Sequence, residues 1–241
     1  YGVDVVEDNK AAITGEGSSD ITVSRGVATD VVVLAVKPQV VSDVVRGVAA
    51  ELCTVQPLVV SIVAGVAIRD LARWIGGPAP IVRLMPNTPA LVGEGAAGMY
   101  ADAAVSPAQR EQTEYVVSNI AKEYVWVDNE AGIDTVTALS GSGPAYFFLV
   151  IEAMEKAGIE LGLDPTAAKR LVAQTALGAA KMVLTSEDDV ATLRRKVTSP
   201  NGTTHAAVEK MIELGVPAGI ESGVKAAKER CVTLSDEFGQ L

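Results

Sequence analysis

The sequence predicts an α/β domain built on a doubly wound sheet, followed by an all-helical domain completed by a second copy of the chain. Three observations carry this reading. The first half alternates short β-branched runs with helical spacers. Two of those runs, Asp30–Val36 and Leu58–Val63, are apolar almost throughout, as parallel strands covered on both faces are. The second half opens on a helical run, Gly143–Leu163, that is apolar nearly all round. A helix apolar on every side must be buried on every side, which points to burial against an identical chain.

Taken in order, the strand-like runs of the first half are Val3–Glu7, Asp30–Val36, Leu58–Val63 and Ile81–Met85, with helical spacers at Gln39–Leu52 and Ala67–Gly76. Asn9–Thr29 is polar and glycine-rich in its middle, and reads as a loop with weak strand character at Ile21–Ser24. Two later strands, Ala96–Ala101 and Glu123–Asp128, flank a helix at Ser106–Ala121, where Ser106 caps and Pro107 takes the first helical position. The helices after Gly143–Leu163 are Asp164–Ser186, Asp188–Lys196, Thr203–Leu214 and Pro217–Glu237. The division between the two domains falls at about 129/130.

The bulk numbers bound the function. Of 241 residues, 49% are hydrophobic and 21% charged, a soluble globular balance. The net charge of −10, with no basic cluster longer than Arg194–Lys196, argues against a nucleic-acid partner. No apolar run reaches the ~18 residues of a membrane span, and no signal peptide is expected. Cys53 and Cys231 lie far apart and read as free thiols of a reducing, cytoplasmic compartment. His205 is the only histidine. That removes Ser-His-Asp, Cys-His and most zinc chemistry, and no cluster has metal-ligand spacing. The chemistry then falls largely to a cofactor, with the protein supplying orientation.

Seven segments could carry it. Gly93–Gly98, "GEGAAG", fits G-x-G-x-x-G but is expected to be a decoy, because it follows a Pro-rich loop and runs into "MYA" rather than a helix. Lys37 and Pro38 in "LAVKPQ", and Ala64 and Gly65 in "SIVAGV", end buried strands, where ligands of open α/β sheets bind. A solvated lysine and a plain glycine turn are the alternatives. "MPNTPALVGEG", Met85–Gly95, is a stiff strand-end loop in which Asn87 and Thr88 offer polar groups or make an ordinary Asx or ST turn. "ALSGSGPAY", Ala138–Tyr146, reads as an interdomain turn with Ser142 capping the long helix. In "TSEDDV", Ser186 can cap, and Glu187, Asp188 and Asp189 suit the positive end of a helix dipole. Lastly, "VTSPNGTTHAAV" places the turn-forming pair Asn201-Gly202 before Thr203 and Thr204, at a helix start whose free N–H groups favour a carboxylate or phosphate. A merely well-capped helix is the alternative.

In this order, "DVVVLAVKPQ", "SIVAGV", "RLMPNTPALVGEGAAGMY", "ALSGSGPAYFFLVIEAM", "LGAAKM" and "VTSPNGTT" resemble the delta-1-pyrroline-5-carboxylate reductase family, over a span from about Ala28 to the C-terminus. The resemblance implies an α/β Rossmann-like domain that binds NADPH or NADH, here with its first strands apparently missing, followed by an all-α dimerisation domain. It also implies a homodimer, with further assembly into a ring such as a decamer, and reduction of 1-pyrroline-5-carboxylate to L-proline. Asn9, Lys37, Pro38, Ala64, Gly65 and Asn87 fall at or beside cofactor-contacting positions. Gly202, Thr203 and Thr204 would hold the substrate carboxylate, the Thr204 hydroxyl would meet the ring nitrogen as the catalytic contact, and Glu187 would lie near the substrate.

Two departures stand out. Asn201-Gly202 replaces the usual Gly-Gly, which asparagine tolerates because it enters the left-handed region. The chain also enters the pattern at what looks like the third strand, so the glycine-rich pyrophosphate loop and the adenosine-ribose residues are expected to be absent. The competing readings are a β-hydroxyacid dehydrogenase, disfavoured because Gly143–Glu155 lacks a lysine, and a non-catalytic dinucleotide-binding dimer.

Overall fold

The computed structural model describes residues 30–241. The expected strand Val3–Glu7, the loop Asn9–Thr29 and the candidate Asn9 lie outside the described residues. Contacts divide the chain into a sheet unit, which runs to Ser142 and takes in Lys225–Leu241, and a helical unit, Gly143–Val224. By contacts the two units meet in sequence at 142/143, and the end of the chain groups with the sheet unit.

Five strands pair in sequence order: β1 (Val31–Leu34), β2 (Leu58–Ser61), β3 (Ile81–Met85), β4 (Ala96–Ala101) and β5 (Glu123–Trp126). β1, β2 and β3 are parallel. β4 runs antiparallel to β3, and β5 parallel to β4. The reversal follows from the β3–β4 connection. Pro86–Gly95 carries only a 3-10 turn, Thr88–Val92, and a parallel return needs a longer crossover.

Side chains alternate between the two sheet faces. Val59 joins a core with Leu34, Val41, Leu71 and Trp74, while Leu58 and Val60 join Val82, Leu84, Met99 and Val117. The first face is covered by α1 (Val41–Gly47), α2 (Ala49–Val55) and α3 (Ile68–Ile75). The single helix expected at Gln39–Leu52 is broken at Val48, just after Gly47, where φ is −117° and ψ 11°. α4 (Pro107–Ser118) covers the second face and starts on a reciprocal capping box, Ser106 with Gln109.

The expected turn capped by Ser142 does not form. α5 (Glu130–Val136) passes through a π-helical turn, Thr137–Gly141, into α6 (Gly143–Glu160) as one helix, Glu130–Glu160. Ser142 contributes its N–H to the Thr137 carbonyl at 2.8 Å, and the real cap is Asn129, which accepts from the Gly132 N–H at 3.1 Å. Joined in this way, the helix contains an 18-residue window of mean hydropathy 1.2, long and apolar enough to cross a membrane. The shorter run read from sequence missed this because it started the helix at Gly143.

The helical unit contains α6, α7 (Pro165–Thr185), α8 (Val190–Lys196), α9 (Thr203–Glu213) and the start of α10 (Val216–Phe238). α6 packs on α7. Within the unit only Gly143 and Ala168 are buried. Phe147, Phe148 and Leu149 are each more than 60% exposed. A unit with two small buried residues has no core of its own.

Candidate functional site

The parallel strands position one set of candidate residues. Their carboxyl ends deliver three loops to one edge of the sheet. At the end of β1, Lys37 is exposed and precedes a 3-10 turn, Pro38–Val40, whose Val40 N–H donates to the Lys37 carbonyl at 3.1 Å. After β2, Ala64 is half-buried, and Gly65 sits at φ +72°, a conformation that favours glycine. A Cβ on Gly65 would lie 3.0 Å from the Leu234 Cβ and 3.5 Å from the Phe238 ring. The close approach expected of a ligand is, on that side, made by the protein's own α10.

Asn87, after β3, is already engaged. Its Oδ1 accepts the Ala96 N–H at 2.9 Å, and its Nδ2 donates to the Ser140 carbonyl at 3.1 Å. The side chain thus pins the β3–β4 loop to the π-helical turn, leaving one Nδ2 proton.

The helical unit carries the other candidate residues. Asn201 adopts φ +62°, and Gly202 is the N-cap of α9. A Cβ on Gly202 would meet the Ser199 carbonyl at 3.1 Å, which explains a glycine there. The Gly202 N–H donates to that carbonyl at 3.0 Å, and the Ala206 N–H closes back on Gly202 at 3.1 Å. No side chain caps the helix, so the N–H groups of Thr203, Thr204 and His205 have no protein partner among the described residues. Thr203 and Thr204 are exposed. A helix start with free donors and a positive dipole end favours an anion.

Glu187 is exposed in the connection before α8. Its neighbours form a local network without it. Asp189, not Ser186, caps α8 by accepting the Thr192 N–H at 2.6 Å, which lowers its pKa. Asp188 pairs with Lys196, and Ser186 Oγ accepts the Asp188 N–H at 3.1 Å.

One charged cluster of the sheet unit was not anticipated. Arg83 on β3 is 3% exposed, yet its Nη1 reaches Glu130 Oε1 at 3.1 Å and its Nη2 lies 3.6 Å from Asp134 Oδ1. Its one sequence signal is an arginine inside the apolar run "IVRLM". Burial pushes the Asp134 carboxyl above its ordinary 3.8; Arg83 pulls it back, Glu130 raises it further, and Lys228 lowers it. The folded state therefore holds that proton more tightly than the unfolded chain. The group gains stability as pH falls through its raised folded value towards 3.8, and loses it as pH rises. Wild type should gain stability relative to Asp134→Asn across that fall, measured by urea unfolding at a series of pH values. A flat difference would reject the assignment.

Residues 130–234 match the family described as pyrroline-5-carboxylate reductase dimerisation. A pyrroline-5-carboxylate reductase of Pseudomonas aeruginosa is 49% identical over 236 residues, covering 97% of this chain and 86% of that protein. The chain belongs to the pyrroline-5-carboxylate reductase family. Its relative from Pasteurella multocida is 41% identical, over 96% of this chain and 82% of that protein. Among solved structures, the pyrroline-5-carboxylate reductase of Coxiella burnetii superposes with a TM-score of 0.80 at 40% identity, over 86% of this chain and 76% of that one. The Plasmodium falciparum pyrroline carboxylate reductase with NADP bound gives 0.78 at 31% identity, over 84% and 80% of the two chains. The Rossmann-like and dimerisation architecture expected from the sequence is thus the fold of this family.

Proposed function

We propose that this chain reduces 1-pyrroline-5-carboxylate to L-proline with NADPH or NADH, the last step of proline synthesis. The observation that carries the reading is the start of α9. Three unpartnered N–H groups there adjoin the Thr204 hydroxyl, a pairing suited to a carboxylate with a nitrogen beside it.

The strand-end loops suit the dinucleotide. Lys37 supplies an exposed cation, the Ala64–Gly65 turn supplies backbone without side-chain bulk, and Asn87 keeps one Nδ2 proton. When bound, the cofactor supplies a hydride. The protein's own part is to hold the reactants at about 3–3.5 Å. Gly202, Thr203 and Thr204 fix the carboxylate, and Glu187 lies near the ring. The Thr204 hydroxyl orients the ring nitrogen, whose C=N bond takes the hydride on carbon. The ring nitrogen carries its proton on arrival or receives it through water, since the site has no obvious acid.

The chain self-associates through its dimerisation region. We assign the exposed apolar length of α6 to burial against a second copy rather than lipid, because the dimerisation family covers it. Assembly of dimers into a ring, such as a decamer, and a cytoplasmic location, argued from the unpaired Cys53 and Cys231, belong to the same reading.

Steady-state turnover of 1-pyrroline-5-carboxylate by the full-length protein, with NADPH and with NADH, tests this directly. No turnover with either would reject it. In an active protein, Thr204→Val should lower kcat/KM by about 10- to 150-fold, the equivalent of roughly 1.5–3 kcal/mol for a hydrogen bond to a charged group. Thr204→Ser should be far milder. Unchanged kinetics in the valine variant would remove the hydroxyl from the mechanism.

A further inference from the structure

α3 begins with a defect. Its N-cap is Ala67, which has no side-chain acceptor, so the first N–H of the helix needs a partner from elsewhere. That partner is Glu130, sixty-two residues on in sequence: its Oε1 accepts the Ile68 N–H at 2.7 Å. The same oxygen receives Arg83 Nη1 at 3.1 Å. Arg83 in turn sits opposite Ser61, the last residue of β2. The loop Ile62–Ala67, which carries Ala64 and Gly65, therefore leaves the sheet beside Arg83 and ends on the carboxylate that Arg83 holds. Its entry is held by the Ile62 N–H on the Leu34 carbonyl of β1 at 3.0 Å and by the Val63 N–H on Ser61 Oγ at 3.3 Å. Its exit is held by the Glu130 carboxylate. The helix that starts at Glu130 also carries Ser140, the anchor of the Asn87 loop.

We infer that Glu130, oriented by Arg83, is a positioning residue for the dinucleotide: it caps α3 from a distance and so sets the Ala64–Gly65 turn for cofactor binding. The inference rests on the functional reading above. Asp134 supplies an internal control. It faces the same arginine at 3.6 Å but makes no hydrogen bond to either loop among the described residues. Losing its charge perturbs the cluster electrostatically without uncapping α3.

The test uses full-length wild type, Glu130→Ala, Glu130→Gln and Asp134→Asn. Each is titrated with NADPH by calorimetry, and amide exchange is followed across residues 62–71. Removing a charge-assisted cap should weaken NADPH binding by roughly tenfold in Glu130→Ala, with faster exchange at the start of α3. At saturating NADPH its kcat should stay within about twofold, since the loss is in binding. Glu130→Gln still accepts the Ile68 N–H and should recover most of the affinity. Asp134→Asn should bind as wild type. Wild-type affinity in Glu130→Ala, no rescue by glutamine, or equal weakening in Asp134→Asn would each overturn the inference while leaving the activity intact. A wild-type protein that binds neither NADPH nor NADH would take the functional reading down with it.

Discussion

An Arg83→Met variant should lose about 3–5 kcal/mol of stability, the usual cost of removing one partner from a buried ion pair. For a chain of this size that is a fall of roughly 6–20 °C in Tm. The arginine side chain is 4% exposed and stands between two carboxylates, whose side chains are 31% and 15% exposed. Without it, Glu130 and Asp134 repel each other in a poorly hydrated space. Methionine fills the volume, so the loss is electrostatic rather than a cavity. The double variant Arg83→Met/Asp134→Asn should recover part of the loss, because one unpaired charge goes with the second change. Thermal unfolding of both variants reads this. A single variant within about 2 °C of wild type, against the expected fall, would mean that the pair contributes nothing.

Gly95→Ala should cost about 2–4 kcal/mol, the sum of overpacking and a damaged hydrogen bond. A Cβ at Gly95 would lie 2.2 Å from the Ile120 carbonyl and 3.1 Å from the Ala121 Cα. The neighbour is backbone, which cannot rotate away. Nor can Gly95 retreat easily, since its own carbonyl accepts the Lys122 N–H at 2.9 Å where β4 and β5 begin to pair. This accounts for the glycine motif "GEGAAG". Gly93 ends a 3-10 turn at φ +72°, Gly95 admits the Ile120 carbonyl, and Gly98 admits Val136, whose methyl carbons would lie 2.5 and 2.6 Å from its Cβ. Gly93 serves the turn, and Gly95 and Gly98 serve sheet and helix packing. The folded fraction of Gly95→Ala should therefore keep the wild-type KM for NADPH. A raised KM with unchanged Tm would return the motif to phosphate binding.

Much of this was legible in the residues alone. The expected bounds of β3 and β4, Ile81–Met85 and Ala96–Ala101, are those observed, because the apolar content of both runs and the flanking Pro and Gly mark strands locally. The Ser106 cap and Pro107 at the first helical position stand as expected for the same reason. The candidate loops at 37–38 and 64–65 do lie at strand carboxyl ends, and Asn201-Gly202 does precede an uncapped helix. The errors were local competitions with more than one good answer. Ser186 and Asp189 are both plausible caps for α8, and only the geometry of Thr192 selects Asp189. Ser142 looks like a cap wherever a helix is assumed to begin at Gly143.

The sequence by itself determined which segments are strands and helices, which loops carry polar groups, and that the apolar helical half needs a partner. These follow from spacing and capping, which act over a few residues. Only the tertiary structure decided that β4 runs antiparallel, that Leu234 and Phe238 lie against Gly65, and that Asn87 is committed to Ala96 and Ser140. It alone brought Arg83, Glu130 and Ile68 together. A buried charge or an uncapped N–H must find a partner, but nothing in the local pattern says from how far along the chain that partner comes.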